Sequence, residues 1–116
     1  TKATIHEIYE KYSYTCDTHT AVAVKVYEDY KKSTGDTTKT IIASTASPYK
    51  FSAAVLEAIE GKTSDISEYE KVDRIAELSD IPVPSALADL KNKPERFNDV
   101  IDKNDQKAYV LKTLGI

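Results

Sequence analysis

The stretch Ile41-Ile42-Ala43-Ser44-Thr45-Ala46-Ser47-Pro48-Tyr49-Lys50-Phe51 constrains the fold of this chain more than any other. Residues 39–44, rich in Thr and Ile, read as a β-strand that is nearly continuous in apolar character at its end. The run then breaks into small hydroxyl residues, a proline and an aromatic, and a helical pattern starts at Ser52. A strand that ends beside a helix start is where α/β proteins place ligand sites. No other segment reads clearly as a strand. A lone strand leaves a row of unmet N–H and C=O groups on each edge, and each such group costs about 1–3 kcal/mol if buried. Three solutions are open: an overlooked strand, partner strands in sequence outside this chain, or a second copy of it.

Helical spacing accounts for most of the remainder. Ile5, Ile8, Tyr9 and Tyr12 form one stripe, with Thr4 and Glu7 spaced as a capping box and a helix start one or two residues earlier also open. Asp17 is placed to cap a helix over residues 18–33, whose face carries Ala21, Val22, Val26, Tyr27 and Tyr30 and which Gly35 stops. Ser52–Glu60 turns Val55, Leu56 and Ile59 inward and ends at Gly61. Ser67 and Glu70 cap a helix over 67–78 with the stripe Val72, Ile75 and Ala76. Ile81-Pro82-Val83-Pro84 cannot lie inside a helix. One or two helical turns follow over 85–90, and Asp102 or Asn104 is placed to cap a last helix that Gly115 ends. The fold class is therefore an α/β fragment, mostly helical, with five to six helices around one or two strands.

Composition excludes several functions. The formal net charge of −3, with acids and bases interspersed, gives no basic patch for nucleic acid and no polybasic anchor for a membrane. No apolar run approaches the length of a membrane span. The one cysteine, Cys16, can form neither an internal disulfide nor a zinc site, as befits a reduced thiol in the cytoplasm. His19 lies three residues on but has no third partner for metal binding or nucleophilic catalysis, and a structural role fits it better. Ser44, Thr45 and Ser47 lack the base of a hydrolase triad and a Gly-x-Ser-x-Gly elbow. They suit hydrogen bonding to a ring or an anion, and equally a strand-to-helix turn that caps the next helix.

Two segments resemble threonine synthase. Asp17-Thr18-His19-Thr20-Ala21-Val22-Ala23 matches a family pattern Asp-Pro-His-Thr/Ser-Ala-Val, with Thr18 in place of the proline. Ser44-Thr45-Ala46-Ser47-Pro48-Tyr49-Lys50-Phe51 matches Thr-Ala-His/Ser-Pro followed by Lys-Phe, with Ser47 where many members carry His. The resemblance is specific over residues 1–61 and looser beyond. It implies the carboxyl-terminal portion of an enzyme of the tryptophan-synthase β-subunit fold type, built from three-layer α/β domains. Residues 1–61 would be its motif-bearing α/β part and 62–116 its helical end. The implied reaction converts O-phosphohomoserine and water to L-threonine and phosphate with pyridoxal phosphate. The lysine that carries the cofactor and the glycine-rich phosphate cup belong to the amino-terminal portion, so no catalytic residue is assigned here, Lys50 included. Thr45 is expected to face the cofactor's pyridine nitrogen, with Ser44, Ala46 and Ser47 as the wall beside it and His19 supporting the loop. The isolated chain is expected to be inactive and to self-associate through residues 39–44. The alternative is a stand-alone helical interaction module with no catalytic activity.

Overall fold

The structure, a computed structural model, describes residues 1–79 and 81–116. Among the described residues six α-helices follow one another: α1 (Lys2–Tyr12), α2 (Thr18–Thr34), α3 (Ser52–Glu60), α4 (Glu68–Leu78), α5 (Ser85–Ala88) and α6 (Gln106–Leu114). Single 3₁₀ turns precede α3 (Pro48–Phe51) and follow α5 (Asp89–Asn92).

The cap chemistry read from the sequence sets both ends of α2 and one end each of α3, α4 and α6. Asp17 starts α2 by accepting the His19 and Thr20 amides, and Ser67 and Glu70 close a reciprocal capping box on α4. Gly61 ends α3 at φ 71°, in the left-handed region that glycine enters without steric cost. Helix α1 takes the earlier of the starts left open, at Lys2, because Lys2 and Ala3 are themselves good helix formers, and Thr4 lies buried in its first turn instead of capping it. One cap differs from expectation. Helix α6 begins after Asp105 with no side-chain cap, while Asp102 spends its carboxylate on the Asn104 amide one turn earlier.

The core lies where α1, α3 and α4 meet. Ile5 and Ile8 of α1, Val55, Leu56 and Ile59 of α3, and Val72 and Ile75 of α4 are buried together with Tyr49. Phenolic groups tie loops to this core. Tyr9 donates to the Leu78 carbonyl at 2.9 Å, and Tyr49 donates to the Ile81 carbonyl.

The expected strand is not formed. Among the described residues there is no strand, and residues 35–45 have no regular secondary structure. The cause is the one anticipated from the unmet backbone groups: a strand exists only through a neighbouring ladder, and none is offered here. Ile41 is 92 % exposed as a result.

The stripe of α2 also departs from expectation. Thr20 and Ala21 are buried at its start, but Val22, Val26 and Tyr30 face outward at 49, 63 and 50 % exposure. Tyr12, on the stripe of α1, is exposed as well. Helix α6 buries no residue. The Cα radius of gyration is 19.0 Å, against about 13 Å for a compact domain of this length. The chain is thus a compact core of α1, the start of α2, α3 and α4, carrying elements that extend from it. Among the described residues no helix is long and apolar enough to cross a membrane.

Candidate functional site

The hydroxyl turn over residues 44–47 is held from two sides. On the carboxyl side, Ser47 caps the 3₁₀ turn by accepting the Tyr49 amide at 3.3 Å, and Pro48 supplies the fixed φ that opens such a turn. Pro48 and Tyr49 are buried, which anchors this end in the core.

On the amino side the anchor comes from α2. Asp17 is fully buried. Its Oδ1 accepts from the His19 amide at 2.8 Å and from the Thr20 amide at 3.3 Å, and its Oδ2 accepts from the Thr20 hydroxyl. Thr20 Oγ1 in turn lies 3.1 Å from Ser44 Oγ. Burial pushes the Asp17 carboxyl up, but the hydrogen bonds from Thr20 and from the two amides outweigh it and hold the group below the usual carboxylate range. Asp17 is therefore a buried carboxylate stabilised by the donors at the start of α2.

The three candidate hydroxyls thus differ in state. Ser44 is tied to Thr20 and Ser47 to Tyr49. Thr45 is exposed and has no hydrogen-bond partner within the chain among the described residues.

The His19 ring packs at 5.0 Å and 52° to Phe51, while its Nδ1 lies 3.3 Å from Asp17 Oδ1. This tilted pair spans from the start of α2 to the end of the 3₁₀ turn and braces the turn from outside. Cys16 is buried, and burial followed by the neighbouring Asp17 charge pushes its thiol up, away from the reactive thiolate. Lys50 is exposed, with Nζ 5.8 Å from the Phe51 ring. A groove lined by Tyr12, Val24, Tyr27, Lys31 and Ile42 holds none of the three hydroxyl residues.

The bond between Thr20 and Ser44 is the feature that reading the sequence missed. Asp17 was legible as a cap, but a sequence separation of 24 between Thr20 and Ser44 hid the contact. The available signal was a second hydroxyl, Thr20, three residues past a cap that already satisfies the backbone.

Fold and site together define a helical scaffold that presents a polar turn, braced on both sides, with one uncommitted hydroxyl. The family described as "Threonine synthase, C-terminal" matches residues 20–110, from the first turn of α2 through the hydroxyl turn and into α6. The chain belongs to that family. Among curated proteins, none matches it.

Proposed function

We propose that this chain is the carboxyl-terminal part of a pyridoxal-phosphate-dependent threonine synthase of the tryptophan-synthase β-subunit fold type, acting in the cytoplasm. It would take part in converting O-phosphohomoserine and water to L-threonine and phosphate. The observation that carries the reading is the exposed, uncommitted Thr45 hydroxyl, held in a braced turn inside the family match.

The chemistry of the turn fits one edge of the cofactor. An unprotonated pyridine nitrogen accepts a single hydrogen bond, and Thr45 has a neutral hydroxyl free to donate one. The one carboxylate tied to the turn, Asp17, is buried and occupied by the start of α2. When bound, the cofactor supplies an electron sink for carbanionic charge on the substrate. Thr45 would hold the ring nitrogen without protonating it, which moderates that sink and favours elimination and replacement over transamination. Ser44 and Ser47 would shape the wall beside it. Thr45 orients and donates; proton transfer to and from the substrate falls to the amino-terminal portion of the enzyme.

Phosphate release from O-phosphohomoserine tests the reading, measured on the intact enzyme containing this chain and on the chain alone, each with pyridoxal phosphate. The intact enzyme should turn over, the chain alone should not, and Thr45→Ala in the intact enzyme should weaken cofactor retention. Turnover by the chain alone, or an intact enzyme that needs no cofactor, would overturn it.

A further inference from the structure

The proton pattern of the turn follows from the atoms around Thr20. A threonine hydroxyl carries one proton. An ionised carboxylate can only accept. The Thr20 hydroxyl donates to Asp17 Oδ2 and faces Ser44 Oγ at 3.1 Å, also as donor, so its one proton is shared between two acceptors. Ser44 is thereby held through its lone pairs, and the neighbouring Thr45 hydroxyl stays uncommitted among the described residues.

We infer that Asp17 and Thr20 are positioning residues of the cofactor turn: the buried Asp17 carboxylate orients the Thr20 hydroxyl, which holds Ser44 and so presents the uncommitted hydroxyl of its neighbour Thr45 to a ligand nitrogen. The inference rests on the assignment of pyridoxal phosphate to this turn, and it deepens that assignment by saying how the turn is set. The anchoring end is rigid. Asp17 is fully buried and Thr20 is 6 % exposed, and both are fixed by the first turn of α2. Ser44 is exposed and belongs to a segment with no regular structure, so the bond to Thr20 is its only hydrogen bond to the core among the described residues. Without it, residues 44 and 45 would be held only from the Ser47 side. A preorganised donor binds more tightly than one that must be ordered on binding.

The test uses the intact enzyme carrying this chain, with T20V, T20S, S44A, T20V/S44A and T45A variants. The readouts are the dissociation constant of pyridoxal phosphate, by titration of its absorbance, and the position of the bound cofactor's absorbance maximum. Removing a buried hydrogen bond of this kind should weaken cofactor binding by about tenfold in T20V. T20S keeps the hydroxyl and should stay within about threefold of the wild type. S44A breaks only the link to Thr20, whereas T20V also removes the bond to Asp17, so S44A should weaken binding no more than T20V does, and the double variant should be no worse than T20V. Equal cofactor affinity in T20V and wild type would overturn the inference, as would T20S binding as weakly as T20V or independent losses in the double variant. Circular dichroism checks that T20V remains helical; if it does not, S44A at the exposed turn decides alone, with wild-type affinity overturning the inference. T45A separates the two layers. If T45A weakens binding and T20V does not, only the positioning role fails. If T45A leaves affinity and absorbance unchanged, the cofactor assignment fails and the positioning role falls with it.

Discussion

Replacing Asp17 should be among the most costly single changes to a polar residue in this chain. In Asp17→Ala the start of α2 loses its side-chain cap, worth about 1 kcal/mol. The buried Thr20 hydroxyl also loses a charged acceptor, and such bonds contribute about 1.5–3 kcal/mol. Part of that is recovered, because Thr20 can turn its proton to Ser44 Oγ, 3.1 Å away. The expected loss is about 3 kcal/mol. Asp17→Asn retains an acceptor for the His19 and Thr20 amides, since Asn caps helices as well as Asp does, and should cost about 1 kcal/mol. Urea denaturation of the 116-residue chain at pH 7, followed by helical circular dichroism, measures both from the midpoint at unchanged slope. The pH dependence supplies a second check. The folded carboxyl ionises more readily than the unfolded one, so the unfolded chain binds more protons between the two pKa values and stability rises with pH there. The gap between wild type and Asp17→Asn should be full above about pH 5 and shrink as pH falls below about 4, through the depressed folded pKa. An Asp17→Ala loss under about 0.5 kcal/mol, the scale of ordinary surface substitutions, would refute the reasoning. So would Asp17→Asn as costly as Asp17→Ala, because the cap would then not be what Asp17 supplies.

Three other outcomes are expected. Leu56→Ala, at a position 1 % exposed between α1 and α4, should cost about 2–5 kcal/mol in the same denaturation experiment; a loss under 1 kcal/mol would place the core elsewhere. Cys16 should resist a thiol reagent at pH 8 in the folded chain and react rapidly in denaturant, and equal rates in the two would show that it is not buried. Light scattering over a concentration series should show self-association of the isolated chain through residues 39–44 and the exposed Val22, Val26 and Tyr30, whereas a strict monomer at high concentration would contradict it.

Helices were legible in this sequence because their determinants are local. The bounds of α3 and the caps at Asp17 and Ser67 follow from residues within one turn of each end. The strand was not legible in the same way. Its Thr and Ile content states a preference, but a strand is realised only by partners, and residues 39–44 have none among the described residues. The stripe of α2 shows the same limit. Periodicity identifies an apolar face, yet Val22, Val26 and Tyr30 stay exposed because α2 meets the core only through its first turn. At the turn itself, the hydroxyl residues were legible by type. Which of them was free depended on the Thr20–Ser44 contact, and long-range pairing leaves no mark in residue spacing.

Under the proposed function Thr45 holds the ring nitrogen of pyridoxal phosphate, and a crystal structure of the intact enzyme with the cofactor bound tests this directly. Thr45 Oγ1 should lie within about 3.2 Å of the pyridine nitrogen, with Ser44 still bonded to Thr20. A carboxylate on that nitrogen, or Thr45 turned away from the cofactor, would contradict it.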